Sequence, residues 1–270
     1  MAHALSEVAA VRGGRWSDLG VRLASALILG PACLLCLWLG GWPWSAFILL
    51  ALGGLGYEWG RLAGLARPWR FSAFFFILWL CTACFGLASA LLAMVVLVGA
   101  AALAFGGLAA WGIPYAGLGA LALLWLRLQP GSGLADSLFL VLVVWGTDIG
   151  AYLVGRVLGG PKLAPRISPG KTWSGALGGL FLGSLAGAVL AGCGHWLDFA
   201  ALPAGLLLSL SAQSGDLLES AIKRKLGVKD SGRTIPGHGG LFDRLDGFLI
   251  AAPLAVVMAL SVQKGLPLWG

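Results

Sequence analysis

Long apolar runs, broken only by short polar stretches, fill almost the whole chain. A helix needs about 20 consecutive apolar residues to cross the roughly 30 Å hydrocarbon layer of a bilayer. Runs of that kind fall at about 20–40, 43–59, 71–87, 89–107, 109–126, 136–157, 173–193, 199–221 and 246–263, which predicts an all-α, polytopic membrane protein of nine spans. Between Phe71 and Arg127 only Gly, Ser and Pro interrupt the apolar sequence, so the pattern alone allows two helices or three there.

Charge decides that count. Three basic residues precede or open the first span (Arg12, Arg15, Arg22) and three follow the second (Arg61, Arg67, Arg70). Arg156, Lys162, Arg166 and Lys171 follow the sixth, and Lys223, Arg224, Lys225, Lys229, Arg233 and Arg244 separate the eighth from the ninth. Only Arg127 and Lys264 remain for the other side, so the positive-inside rule puts the N-terminus and every basic loop in the cytoplasm. Nine spans satisfy this and eight do not. The first run is too long, and lacks a cleavage site, for a removable signal peptide.

Composition agrees. The 270 residues are 59% hydrophobic and 11% charged, against roughly 25% charged in a soluble domain. One transmembrane domain therefore spans 1–270, with N-terminal helices over 20–135 and a polar region over 136–250 whose loops are 156–172 and 222–245. A pI near 9.5 does not indicate nucleic acid, because the basic residues sit in short loops at a membrane face, where lipid headgroups and nucleotide phosphates are the matching anions. The C-x-x-C pairs Cys33/Cys36 and Cys81/Cys84, like Cys193, lie in apolar runs without His or acidic neighbours and read as packing residues. Gly178, Gly179, Gly183 and Gly187 form a seam of small residues on the seventh span.

The acidic residues break the pattern of a scaffold. An ionisable group deep in a span costs about 3 kcal/mol even on lenient insertion scales, yet Asp148 lies well inside the sixth span, and Asp216 and Glu219 near the end of the eighth. Asp216, Glu219 and Ser220 share one helical face, and Asp243 and Asp246 repeat the i, i+3 spacing. Such carboxylates repel one another unless a cation stands between them. Oxygen-only ligation points to Mg²⁺ and to phosphate chemistry. The plainer alternatives are an internal salt bridge for Asp148, Asp216 and Glu219, capping of the last helix for Asp243 or Asp246, and an Arg61 pair for Glu58.

Two segments supply the opposite charge. Gly155–Gly175 carries four basic residues and no acid among loop-forming Gly and Pro; its Gly-Lys-Thr at 170–172 echoes a Walker A end only by accident, since Pro165 stands where the first Gly belongs. Ser220–Asp246 mixes both signs around Pro236-Gly-His238-Gly239-Gly240, whose backbone N–H groups could turn toward an anion, while His238 either donates to a phosphate or braces the loop.

That second segment resembles the signature of the phosphatidate cytidylyltransferases, or CDP-diacylglycerol synthases. Ser220, Lys223, Arg224, Lys229, Asp230, Pro236, His238, Gly239, Gly240, Asp243, Arg244 and Asp246 all meet it. Thr147-Asp148 through Arg156, Ile167-Ser168-Pro169, Lys171-Thr172-Trp173 and Gly215-Asp216 resemble the family's other polar stretches, so the likeness covers about 140–250. It implies a homodimer in the bacterial inner membrane that takes CTP and phosphatidic acid among membrane lipids at its cytoplasmic side, uses Mg²⁺, and keeps room for K⁺. On that basis Asp216, Asp243 and Asp246 are the expected metal ligands, with Asp148 and Glu219 supporting. Lys223, Arg224, Lys229, Arg244, Lys171 and Arg166 go to phosphates, with Lys223 in the catalytic set; Ser220, Ser168, His238, Gly239 and Gly240 complete the substrate contacts. A CTP-dependent polyprenol kinase and an ion-coupled transporter are the rival readings, and an archaeal-type enzyme acting on ether lipids is a variant of the first.

Overall fold

The structure, a computed structural model, describes residues 27–192, 199–232, 234, 235, 237, 239–263 and 265–270. Arg12, Arg15, Arg22, Cys193, Arg233, Pro236, His238 and Lys264 lie outside the described residues, and with them the expected start of the first span and the placement of the N-terminus.

Nine helices follow one another among the described residues: α1 (Leu27–Leu39), α2 (Gly41–Leu62), α3 (Ser72–Phe85), α4 (Leu87–Phe105), α5 (Gly107–Arg127), α6 (Gly133–Leu158), α7 (Trp173–Ala191), α8 (Leu202–Lys225) and α9 (Phe242–Ser261). Six of the segments are long and apolar enough to cross a bilayer on those criteria alone. The chain is an all-α multi-pass membrane protein.

The ambiguous stretch resolves into three helices by a simple device. Gly86 (φ +83°, ψ 178°) and Gly106 (φ +90°, ψ 168°) each separate two helices on their own, in a backbone region essentially closed to residues with a Cβ. Single-residue breaks leave no polar linker, which is why hydropathy could not count these helices. The α4 helix turns Leu92, Val95, Val96 and Leu103 outward, at least 70% exposed, a face suited to lipid. The α5 helix is buried along most of its length between α2, α3, α4 and α9 and forms the centre of the fold.

The Gly178/179/183/187 seam does join helices. All four are buried, and a Cβ on Gly179 would press against the Thr147 carbonyl at 2.9 Å, one on Gly187 against the Phe139 ring at 2.8 Å. Gly150 of α6 is placed the same way against the Gly178 carbonyl, at 2.7 Å. With lipid on the outside there is no hydrophobic gain to drive helices together, so close backbone approach supplies the contact. Thr147 Oγ1 adds a 2.6 Å hydrogen bond to Ser209 Oγ, which ties α6 to α8.

Within the loop expected at 156–172, whose first residues extend α6, runs an antiparallel ribbon, β1 (Lys162–Ala164) with β2 (Ser168–Thr172). Thr172 ends it as the N-cap of α7, its hydroxyl accepting from the Gly175 N–H at 3.1 Å. That cap accounts for the threonine of the accidental Gly-Lys-Thr. This ribbon, the 226–241 segment and the end of α2 all lie at one end of the bundle. At the far end, Arg127 donates through Nε to the Leu37 carbonyl (2.5 Å) and through Nη2 to that of Trp38 (3.0 Å), closing the carbonyl end of α1.

The seam predicts a sharp contrast between glycines. Gly179→Leu must push α6 and α7 backbones apart, costing about 3 kcal/mol or more, and is expected to lower the thermal midpoint in detergent and the monodisperse yield. Gly99→Ala on α4, whose Cβ meets nothing within 4 Å, is expected to leave both unchanged or improved.

Candidate active site

At the basic end, the last turns of α6, the middle of α8, the ribbon and the first turns of α7 and α9 enclose a cavity of about 630 Å³. Asp148, Asp216, Asp243 and Asp246 face it together with Lys171, Arg156 and Arg244. Asp148 stands ten residues before Leu158, about 15 Å down the α6 axis, so the cavity reaches well into the bundle. Gly215 makes the carboxylates meet: any Cβ there would collide with the Asp246 carbonyl, so α8 and α9 touch backbone to backbone beside Asp216 and Asp246.

Electrostatic pairing organises the walls. Lys171 forms an ion pair with Asp216, and Ser220 Oγ donates to Asp216 Oδ1 at 3.4 Å. Gln213 Nε2 donates to the Ala176 carbonyl at 3.2 Å, joining α8 to α7 beside the cavity. Arg156 lies over the Tyr152 ring, 5.9 Å from its centroid, and donates to the Tyr152 hydroxyl at 3.0 Å.

Asp243, expected as a metal ligand, has both carboxylate oxygens turned to protein donors. Its Oδ1 accepts from Lys223 Nζ at 2.5 Å, and its Oδ2 from the N–H of Gly240 (2.9 Å), the N–H of Ser231 (3.1 Å) and Ser231 Oγ (3.1 Å). A carboxylate with that many protein donors is a loop organiser, in line with the helix-start alternative. The Gly240 N–H, expected to meet a substrate anion, is spent on this internal one. Lys223 likewise turns inward, with Glu219 Oε2 at 2.8 Å on its other side; Glu219 is 3% exposed and does not line the cavity.

Other expected contacts stand apart from the cavity wall. Arg224 donates to the Ile167 carbonyl through Nε and to the Val228 carbonyl through Nη1, both at 3.2 Å, so it fastens the ribbon to the segment after α8. Arg166 and Lys229 are exposed, Ser168 pairs with Ala164 in the ribbon, and Gly239 (φ +85°) makes a lone bridge with Ile235.

Glu58, expected at most to pair with Arg61, has a positioning role that sequence reasoning missed. It is completely buried, and it accepts from the N–H groups of Leu241 (2.7 Å) and Phe242 (3.0 Å), from Ser231 Oγ (3.1 Å) and from the Thr234 hydroxyl. It caps the first turn of α9 from a different helix, where a negative charge meets the positive end of the helix dipole. Trp59, Tyr115 and Phe242 pack as an aromatic trio beside it, ring centroids 5.6 to 5.8 Å apart. The available signal was an acid inside an apolar run, and its partners lie in another part of the chain that only a fold could assign.

Comparison with known proteins bears on what this arrangement does. The sequence model of the cytidylyltransferase family matches residues 20–262. The chain is 42% identical over 253 residues to a phosphatidate cytidylyltransferase of Brucella suis biovar 1, covering 88% of this chain and 92% of that protein. A phosphatidate cytidylyltransferase of Staphylococcus aureus strain COL is 45% identical over 134 residues, 48% of this chain and 50% of that protein.

Glu58→Gln keeps shape but turns one acceptor into a donor facing N–H and O–H groups. The loop is expected to open more readily by about 1 to 3 kcal/mol, so limited trypsin cleavage after Lys225 and Lys229 should accelerate roughly ten- to a hundredfold, with the helical circular dichroism retained.

Proposed function

The chain belongs to the cytidylyltransferase family, and from that premise we propose that it transfers CMP from CTP to phosphatidate, giving CDP-diacylglycerol and pyrophosphate. The observation that carries this reading is one cavity in which three carboxylates, Asp148, Asp216 and Asp246, face Lys171, Arg156 and Arg244. The positive-inside rule supports a cytoplasmic site for that cavity in the bacterial inner membrane, where CTP is available.

A phosphomonoester oxygen of the lipid attacks the α-phosphorus of CTP; the new P–O bond forms as the bond to the bridging oxygen breaks, and that oxygen leaves with pyrophosphate. The nucleophile is already ionised at neutral pH, so no general base is required. Two polyanions must approach, and negative charge grows on the leaving group. Lys171, Arg156 and Arg244 neutralise phosphate oxygens. Lys223 and Asp243 hold the 231–240 segment and α9 in register behind them, and Glu58 holds both.

The residues fit Mg²⁺. The donors are all carboxylate oxygens, and no group of three acids stands at ligand spacing among the described residues. Mg²⁺ suits that openness, since it takes one or two carboxylates and completes its shell with water and substrate phosphates. One or two of Asp246, Asp148 and Asp216 would hold it, and when bound it would offset charge on the phosphates.

With phosphatidate, Mg²⁺ and CTP labelled separately at the α- and γ-phosphates, α-label is expected in the lipid extract and γ-label in pyrophosphate. Transfer of γ-label to a lipid alcohol would replace this reading with a kinase. Chelation of divalent cations is expected to abolish turnover, and readdition of Mg²⁺ to restore it. Asp216→Asn and Asp246→Asn should each lower kcat at least a hundredfold while leaving the thermal midpoint near that of the parent; full turnover in both would remove these residues from the site.

A further inference from the structure

Arg244 borders two cavities. One is the polar cavity above; the other, about 560 Å³, is walled by Gly30 of α1, Trp44 and Ala51 of α2, Trp145 of α6 and Phe248 of α9. Among the described residues lining this second cavity, Arg244 is the single charged one and the remainder are apolar or glycine and cysteine. A hydrophobic groove therefore ends at a cation, and the same cation opens onto the carboxylates and Lys171.

The molecule whose two halves match those surroundings is an amphiphile with an anionic head and a hydrocarbon tail. A second copy of an apolar helix would bring no anion to Arg244. The chain's own N-terminal segment is net basic, with Arg12, Arg15 and Arg22 against Glu7 and Asp18, and so complements Arg244 less well than an anionic headgroup does. Resting on the function proposed above, we propose that this groove holds one acyl chain of the phosphatidate acceptor while Arg244, at its mouth, receives the lipid phosphate. Leaving the bilayer for the groove gains the chain little, because lipid tails are already in an apolar medium. What the groove supplies is position: a fixed chain delivers the phosphate to the cavity at one depth and angle.

Gly30 controls the space. It lies within an apolar helix, yet a Cβ there meets nothing within 4 Å. A phenyl ring at this position enters the groove without displacing backbone.

The test uses the full-length protein in detergent. Gly30→Phe is expected to lower the ratio of kcat/KM for dioleoyl-phosphatidate to that for dihexanoyl-phosphatidate by about tenfold or more, since small misplacements of a reacting group carry penalties of that order. In parallel, phosphatidate bearing a diazirine at the end of an acyl chain should photolabel wild-type peptides from Leu27–Leu39 and Gly41–Leu62, and dioleoyl-phosphatidate should compete the label away. An unmoved ratio in the folded variant overturns the inference. So does label confined to the outer faces of α3 and α4, or to residues 1–26, which would make the N-terminal segment the occupant. If Gly30→Phe does not fold, the wild-type labelling decides alone. In all these cases wild-type cytidylyl transfer to both lipids leaves the proposed function standing; a wild type that turns over neither lipid removes that function and the groove's role together.

Discussion

A helix that begins inside a membrane protein leaves its first N–H groups without partners, and at that depth water cannot be relied on to supply them. The start of α9 faces this problem directly, because Asp243, Arg244 and Asp246 must all project from its first two turns. Glu58 resolves it from another helix, accepting from two of those N–H groups and from the hydroxyls of Ser231 and Thr234. An uncompensated buried carboxylate would be costly, and uncapped N–H groups nearly as much; brought together they satisfy one another. The position of Arg244 between two cavities, and of Asp246 opposite Asp216, follows from where that cap sets the helix.

Asp243 extends the same logic one layer outward. Glu58 and Asp243 both hold Ser231, sharing its one hydroxyl proton, while Asp243 also accepts its N–H, so Ser231 is clamped from two helices. Gly240 has to be glycine here: a Cβ would overlap Ser231 and come within 2.8 Å of the Gly232 nitrogen. Lys223 then links this clamp to α8 by bridging Asp243 and Glu219. The acids of the polar region thus divide into two kinds. Glu58 and Glu219 are turned to protein partners away from the cavity, and Asp243, at its wall, has both oxygens engaged by protein donors, whereas Asp148, Asp216 and Asp246 line the cavity without such an enclosure.

That division marks what the sequence could and could not tell. The helices were legible because a bilayer demands long apolar runs, and the basic loops were legible because topology demands asymmetric charge. Asp148, Asp216 and Asp246 stood out because an acid in an apolar run has a high cost and so a reason. Spacing could not separate Asp243 from Asp246: both lie on one helical face at i, i+3, and only the placement of Ser231 and Gly240 decides which one is enclosed by donors. Glu58 was read down for a related reason, since its partners are 173 to 184 residues away and no local period reports them. The ribbon at 162–172 was hidden by its prolines and glycines, which suit a tight hairpin as well as an irregular loop.

The two halves of the chain therefore differ in kind but not in importance. Residues 136–250 carry the groups that face the cavity, and a likeness confined to that region would suggest that the earlier helices only fill the membrane. Their contacts argue otherwise. The α2 helix supplies the cap on α9; α5 supplies Tyr115 against Phe242 and the backbone that Trp59 bonds through Leu108; and α1 and α2 wall the groove that ends at Arg244. A substitution in this first half would leave every cavity-lining side chain in the sequence and still move the helix on which three of them stand.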